Sequence, residues 1–206
     1  MRERVRILCD IDDTLCQTSD SFGGRIGKFF RIPIFQNVKN TVQCHNKGQN
    51  KLFWHLVTSI WYLVAVFNLS IPLYVGVKKS LTELLQNNKV EIIFYTMRPS
   101  ITLVYTRKYL AKLVPNPRVY FAAHHRKNCY PELLEGKLAV IQAVKPDIVI
   151  ENDVEVVRQA RDRFSKIIFI VFGHSHGHGY ENCCPANNWQ EIVQIIQKIQ
   201  PSLESH

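Results

Sequence analysis

Five short apolar segments, separated by longer amphipathic stretches, constrain the fold of this chain more than any other feature. The segments are rich in β-branched and aromatic residues and cover residues 4–10, 89–96, 118–122, 147–150 and 166–172. The stretches between and after them carry apolar residues at helical spacing and predict helices over residues 73–85, 99–113, 131–144, 153–164 and 188–199. Strands that alternate with helices predict an α/β fold, with a Rossmann-like parallel sheet covered by helices on both faces.

A long insertion follows the first predicted strand. We expect residues 16–70 to form a mainly helical cap on a core made of residues 1–15 and 71–206. Residues 21–82 contain eight Lys and Arg but no Asp or Glu, and so account for most of the +9 net charge of the 206-residue chain. Positive charge confined to one region suits a polyanionic partner, either a phosphorylated small molecule, a nucleic-acid end or an anionic membrane surface that contacts residues 21–79.

The second half of the insertion is apolar, because residues 52–77 include no Asp, Glu, Lys or Arg. A segment of this length could cross a bilayer. A single crossing would separate the first strand from the strands it must pair with, so we expect a buried cap helix, a surface for homo-oligomer formation, or a helix lying in a membrane interface. The basic N-terminal residues precede no apolar signal core, and the six cysteines suit a reducing compartment. We therefore expect a cytoplasmic protein, with peripheral membrane contact as the alternative.

Carboxylates cluster directly after the first predicted strand, in the segment Asp10-Ile11-Asp12-Asp13-Thr14. Three carboxylates within four residues repel one another unless a cation lies between them, and Mg²⁺ prefers such oxygen ligands. Carboxylates two residues apart can also divide the chemistry, one as nucleophile and one in proton transfer. An Asp-rich turn or a helix N-cap is the structural alternative.

Three further segments carry polar residues at the ends of predicted strands or near the start of a helix. Thr96 ends the second strand and precedes Met97-Arg98-Pro99, so that a hydroxyl and helix-start amides could bind phosphate. Lys137 lies 14 residues before Glu151, and Glu151-Asn152-Asp153 follow the fourth strand.

In order and spacing, these four segments resemble the motifs of haloacid dehalogenase-like (HAD) phosphohydrolases over residues 5–199, apart from the insertion. The resemblance implies that Asp10 attacks phosphorus to form an aspartyl-phosphate. It also implies that Asp12 protonates the leaving oxygen and then activates water. Thr96 and Lys137 would hold the phosphoryl group, with Lys127 as the rival lysine. The remaining implied contacts are to substrate by Thr14, Met97 and Arg98, and to Mg²⁺ by Asp10, the Asp12 carbonyl, Glu151, Asn152 and Asp153.

The sequence departs from this pattern at Asn152, which is neutral where the family has a metal-binding acid. Either Asp153 or Glu151 takes its place, with Asn152 beside the ion, or the metal binds more weakly. The implied function is a Mg²⁺-dependent phosphomonoesterase for a multiply charged substrate, nearest to the 5′-nucleotidase and polynucleotide-phosphatase branches. The alternatives are a membrane-surface lipid or phosphoinositide phosphatase and a catalytically degenerate binding protein of the same fold.

Histidines alternate with small residues at 174, 176 and 178, and two cysteines follow at 183 and 184. These are zinc-ligand residue types, but they lack the paired spacing of structural zinc sites. We expect a Gly-rich loop at the rim of the site, with His174 or His176 near the substrate. Cys9 lies inside the first predicted strand, where we expect it to pack in the core rather than react.

Overall fold

The computed structural model describes residues 4–18, 71–98, 100–122, 130–174 and 182–204. These residues form one sheet, five α-helices and a short 3₁₀ turn at Ser100–Thr102. The strands are β1 (Val5–Asp10), β2 (Val90–Thr96), β3 (Arg118–Phe121), β4 (Ile148–Glu151), β5 (Ile168–Phe172) and β6 (Cys183–Ala186). The helices are α1 (Val77–Gln86), α2 (Leu103–Leu110), α3 (Tyr130–Val144), α4 (Val154–Arg163) and α5 (Trp189–Glu204).

The sheet is parallel throughout its described strands, in the order β3-β2-β1-β4-β5-β6. Strand β1 lies in the middle, paired with β2 on one side and β4 on the other. The chain order reverses between β1 and β4, and ligands of such sheets bind outside the carboxyl ends of the strands at this point. The predicted parallel α/β sheet is confirmed.

Helices cover both faces of the sheet, because successive strand side chains point to opposite faces. On β1, Ile7 and Cys9 enter the core beneath α1, α2 and α5, whereas Leu8 enters the core beneath α3 and α4. Strand β2 repeats the pattern, with Phe94 on the first face and Tyr95 on the second. A central strand with two buried faces must be apolar at almost every position, which explains the unbroken apolar runs in the sequence.

Several elements differ from the sequence prediction. Helix α2, with the 3₁₀ turn before it, covers residues 100–110 rather than 99–113, and α5 continues to Glu204 rather than to residue 199. Strand β6 was not predicted and extends the sheet beyond β5. Helix α1 begins at Val77 rather than at residue 73, because the preceding residues bond to the turn after β1. The amide of Gln17 donates to the Pro72 carbonyl at 2.8 Å, and the amide of Tyr74 donates to the Leu15 carbonyl at 3.3 Å. Gly76 then starts the helix with a φ of 85°, which suits glycine.

The predicted cap lies outside the described residues, apart from residues 16–18, as does most of the apolar segment 52–77. Among the helices that the structure describes, none has the length and apolar character needed to cross a bilayer.

Trp189 joins the last helix to the turn after β1, and its replacement tests how much that link stabilises the fold. The side chain is fully buried, and its indole Nε1 donates to the Thr14 carbonyl at 2.9 Å. In Trp189→Phe the ring stays apolar but cannot donate, so we expect the free energy of unfolding to fall by about 2–3 kcal/mol. Urea denaturation measures it. The control Val104→Ala, at an exposed helix position, should change it by less than about 0.5 kcal/mol. Equal stability of Trp189→Phe and the wild type would show that the link is dispensable.

Candidate active site

The turn after β1 directs Asp10 and Asp12 toward the same edge of the sheet. The amides of Leu15 and Cys16 both donate to the Ile11 carbonyl, at 3.0 and 3.1 Å, and close the turn. Asp13 has a φ of 57°, a left-handed conformation that Asp tolerates better than most residues. The local sequence therefore folds into a tight return at the carboxyl end of β1.

A buried lysine neutralises the carboxylate at the end of β1. Lys137 Nζ lies 2.8 Å from Asp10 Oδ1 and 2.8 Å from Glu151 Oε2. Glu151, at the end of β4, also accepts a hydrogen bond of 2.5 Å from the Tyr95 hydroxyl. Asp10, Lys137, Glu151 and Tyr95 are each at most 3% exposed. These contacts connect β1, β2, β4 and α3 in one network, to which Tyr95 is an addition that the sequence analysis missed.

The close packing of these charges shifts their pKa values. Burial alone would lower the pKa of Lys137, but the charges of Asp10 and Glu151 raise it above its ordinary value, so the ammonium persists. Burial and the Glu151 charge raise the pKa of Asp10, and Lys137 offsets part of this rise. Burial also raises the pKa of Tyr95, which therefore stays a neutral donor.

Gly136 lets α3 approach the sheet closely enough for Lys137 to reach Asp10. A Cβ atom at this position would lie 2.1 Å from the Ala122 carbonyl oxygen, which is far inside contact distance. Any side chain here would push the start of α3 away from the end of β3. The rival lysine, Lys127, lies outside the described residues.

Asp12 has a different partner, the guanidinium of Arg98. Arg98 Nη2 donates to Asp12 Oδ1 at 2.7 Å, and Nε lies 3.0 Å from each carboxylate oxygen. The hydroxyls of Thr96 and Thr18 also donate to Asp12, at 2.9 and 2.6 Å. Burial would raise the pKa of Asp12, yet the Arg98 charge and these hydrogen bonds lower it below its ordinary value. Asp12 is therefore ionised at neutral pH in this arrangement.

Thr14 lies between the ends of β1 and β4. Its hydroxyl is 3.4 Å from Asp10 Oδ2 and 3.1 Å from Asn152 Oδ1. Asp153 instead caps α4, because its Oδ1 accepts from the Glu155 amide at 3.0 Å. His174 lies beside the same turn, with Nε2 3.0 Å from the Asn152 carbonyl oxygen.

Most of the residues predicted for the site thus meet at one edge of the sheet. Met97 differs, since its half-buried side chain packs against the core beneath α3 and α4. The guanidinium of Arg98 is almost fully buried against Asp12, so its direct contact with substrate stays a prediction. His176 lies outside the described residues. The residues brought together are Asp10, Asp12, Thr14, Thr96, Arg98, Lys137, Glu151 and Asn152.

The oxygen atoms at this edge suit a magnesium ion held by few protein ligands. Within the described parts of the chain, no three His, Cys, Asp or Glu side chains are arranged to hold a metal. The oxygens of Asp10 and Asn152 nevertheless flank one hydroxyl, that of Thr14. Mg²⁺ takes hard oxygen ligands and keeps several waters, so one carboxylate with neutral oxygens fits it. The resemblance implies the Asp12 main-chain carbonyl as a further neutral oxygen ligand.

Comparison with known proteins identifies the fold. No protein-family model matches the sequence, and no curated protein matches it. Among solved structures, a haloacid dehalogenase-like family hydrolase from Streptococcus pneumoniae is similar, with a TM-score of 0.61 and 14% identity over 96% of this chain and 100% of that one. The chain has the haloacid dehalogenase-like fold.

Other structures of the HAD fold agree over nearly their whole length. A haloacid dehalogenase-like family hydrolase from Xanthomonas campestris has a TM-score of 0.58 and 10% identity, covering 100% of both chains. A HAD-superfamily hydrolase from Ehrlichia chaffeensis has a TM-score of 0.54 and 15% identity, over 97% of this chain and 98% of that one. The resemblance seen in the motifs is thereby confirmed as a resemblance of fold. The nucleotidase and polynucleotide-phosphatase branches stay predictions.

The two cysteines beside the site give a test of its burial. Burial, with the charges of Asp10 and Glu151, raises the pKa of Cys9 well above its usual value, and burial raises that of Cys16 to about 12. Because the thiolate is the reactive form, we expect neither to be alkylated by iodoacetamide at about pH 8 in the folded protein. Of the four cysteines that the structure describes, the half-exposed Cys183 and Cys184 should react first, and urea should expose all four. Peptide mass spectrometry measures each site. Rapid labelling of Cys16 in the native protein would contradict this burial.

Proposed function

We propose that this chain is a hydrolase, specifically a Mg²⁺-dependent phosphomonoesterase that works through an aspartyl-phosphate. The observation that carries the proposal is the ion pair of 2.8 Å between Lys137 Nζ and Asp10 Oδ1 at the carboxyl end of the central strand. A second carboxylate, Asp12, lies at the same edge, 2.9 Å from the Thr96 hydroxyl. A nucleophile, a proton carrier, a hydroxyl donor and a cation are the groups that phosphoryl transfer needs.

In the first half-reaction, an oxygen of the Asp10 carboxylate bonds to phosphorus while the bond from phosphorus to the leaving oxygen breaks. Asp12, which must first take up a proton from solvent, gives that proton to the leaving oxygen. In the second, a water oxygen bonds to phosphorus, Asp12 accepts the water's proton, and the bond to Asp10 breaks. Free phosphate leaves and both carboxyl groups return to their starting states. The covalent intermediate divides the hydrolysis into two steps, each easier than direct attack of water on the substrate.

The contacts of Asp12 support its role as proton acceptor in the second half-reaction and oppose the protonated form that the first requires, whereas those of Lys137 support its role as the cation. Arg98 favours the ionised form of Asp12, which is the form that accepts a proton from water. Lys137 keeps its charge next to Asp10 and can neutralise the oxygens of a phosphoryl group bound there. The hydroxyl of Thr96 lies at the same edge and accepts from the amide of Arg98 at 3.0 Å, which fixes its position.

A bound Mg²⁺ would neutralise charge on the phosphoryl oxygens. We assign its binding to the Asp10 carboxylate, the Asp12 carbonyl and the Asn152 side chain. Asn152 lacks the charge of a carboxylate, so the affinity for Mg²⁺ should be modest and activity should be lost readily to chelators.

The proposed nucleophile is tested by Asp10→Asn in a phosphate-release screen over nucleotides, 3′- and 5′-phosphorylated oligonucleotides, sugar phosphates and inositides. The amide cannot attack phosphorus, so we expect activity to fall by about 10³-fold or more. The matched control is Asp147→Asn. Asp147 lies at the opposite end of the sheet, where it accepts from the Arg6 amide at 2.8 Å. This control should keep wild-type turnover, whereas normal turnover by Asp10→Asn would remove the nucleophile from the mechanism.

We further propose a multiply charged substrate, a nucleotide or a nucleic-acid end. The support is the sequence of residues 21–70 of the predicted cap, which carry six cationic and no anionic side chains; the two further lysines, Lys78 and Lys79, lie on α1. A cationic surface near the site would raise the local concentration of a polyanion. A phosphorylated lipid headgroup shares this chemistry and is the alternative substrate.

Salt dependence tests the role of this charge. Because a Debye length is about 8 Å at physiological salt, added salt should lower kcat/KM more for a nucleotide than for p-nitrophenyl phosphate. The change of Arg25, Lys28 and Arg31 to Gln should remove the difference. Equal salt responses of the two substrates, together with an unchanged kcat/KM in the triple variant, would contradict the proposal. Sedimentation with anionic but not neutral liposomes would then favour the lipid substrate.

A non-catalytic binding protein of the HAD fold is the second candidate. Asn152, whose side chain shares the Thr14 hydroxyl with Asp10, favours it, since a neutral amide stands where the resemblance implies a metal-binding acid. Absence of turnover in the whole screen, with phosphate binding retained, would decide for this candidate.

A further inference from the structure

We propose that Tyr95 is a positioning residue for Lys137. Its hydroxyl holds the Glu151 carboxylate, and that carboxylate holds the lysine ammonium against Asp10. The inference rests on the proposed function, because it takes Lys137 as the cation that neutralises phosphoryl charge.

Tyr95 contacts Lys137 indirectly, through the Glu151 carboxylate, and directly, through the face of its ring. Its hydroxyl donates to Glu151 Oε2 at 2.5 Å, and Lys137 Nζ donates to the same oxygen at 2.8 Å. The ammonium also lies 5.0 Å from the centre of the Tyr95 ring, within the range of a cation–π contact. Neither Tyr95 nor Glu151 is exposed to solvent. The lysine therefore has three partners, namely the Asp10 carboxylate, the Glu151 carboxylate and the face of the tyrosine ring.

The hydrogen bonds of Glu151 leave it no capacity for another role. Its second oxygen, Oε1, accepts from the amides of Asn152 and Asp153 at 3.1 and 3.0 Å. A carboxylate has about four lone-pair positions, and four donors occupy them here. Glu151 therefore serves as the anchor of Lys137, and the metal contacts fall to Asp10, the Asp12 carbonyl and Asn152.

A lysine needs such an anchor because its four-carbon chain rotates freely and its ammonium has no fixed direction. Asp10 and Glu151 share the Lys137 ammonium. The ammonium therefore neutralises the charge of Asp10, while Glu151 keeps it from moving in front of the carboxylate oxygen that must attack phosphorus. Without the tyrosine hydroxyl, Glu151 Oε2 would lose one of its two hydrogen-bond donors. The carboxylate, and the Lys137 ammonium that it holds, would then be less firmly positioned. Small displacements of a catalytic group cost much more in rate than in substrate binding.

The test compares Tyr95→Phe with the wild type in hydrolysis of p-nitrophenyl phosphate at saturating Mg²⁺. The phenyl ring keeps the face under Lys137 and removes only the hydroxyl. We expect kcat to fall about tenfold and KM to change by less than about twofold. The matched control is Tyr120→Phe on the edge strand β3, which removes from a half-buried side chain a hydroxyl that accepts from Arg118 at 3.4 Å. The control should keep wild-type kcat and KM, and an unchanged kcat in Tyr95→Phe would overturn the inference.

A second measurement does not need turnover. Acetylation of Lys137 by acetic anhydride, followed by peptide mass spectrometry, reports how firmly its ammonium is held. We expect Tyr95→Phe and Glu151→Gln to raise the rate at Lys137 about tenfold relative to the exposed Lys166. Unchanged rates in both folded variants would overturn the inference. Raised rates, with no hydrolysis of any phosphate ester by the wild type, would overturn the proposed function alone and leave Tyr95 as the residue that positions Lys137.

Mg²⁺ binding, measured by calorimetry, distinguishes an anchor from a metal ligand. We expect Glu151→Gln to change the Mg²⁺ affinity by less than about twofold, whereas Asn152→Ala lowers it about tenfold. An equal loss of affinity in both variants would make Glu151 a ligand and overturn its assignment as anchor. If Tyr95→Phe does not fold, as judged by circular dichroism, Glu151→Gln alone decides the question through the acetylation rate and the Mg²⁺ affinity.

Discussion

The pairing of Lys137 with two buried carboxylates is the interaction on which the rest of the site depends. Asp10 and Glu151 end adjacent strands, and their negative charges would repel one another across the sheet without the ammonium between them. The lysine comes from α3, which can approach only because Gly136 leaves room for the Ala122 carbonyl. One ammonium therefore links the carboxyl ends of β1 and β4 to the helix that covers them.

The second ion pair gives the two carboxylates of the β1 turn opposite properties. Burial and a neighbouring carboxylate raise the pKa of Asp10, whereas Arg98 and two hydroxyls lower that of Asp12. Two acids placed in different surroundings can take different roles in one reaction. Arg98, which follows β2, pairs with Asp12 as Lys137 pairs with Asp10. The two carboxyl groups therefore have pKa values shifted in opposite directions, although they lie only two positions apart in the sequence.

The strands and helices could be predicted where periodicity is strong, and the failures have physical causes. The long apolar runs that became β1, β2 and β5 are typical of strands buried on both faces. Strand β6 has only four residues and contains a proline, which is depleted in strands except at sheet edges, and it pairs with the edge that β5 offers. Tyr95 could have been found, since side chains alternate along β2 and direct it to the α3 face. The pairing of Arg98 with Asp12 depends on the turn after β1, which no local pattern specifies.

The contact between Trp189 and Thr14 has a consequence for the order of events during synthesis. The ribosome makes the β1 turn 175 residues before the tryptophan that donates to its buried Thr14 carbonyl. Contacts between residues so distant in sequence form late, because the intervening chain must first be made and ordered. The emerging chain can therefore assemble the central strands before the turn that follows β1 is held. A helix far downstream in the sequence thus completes the turn that carries Asp12.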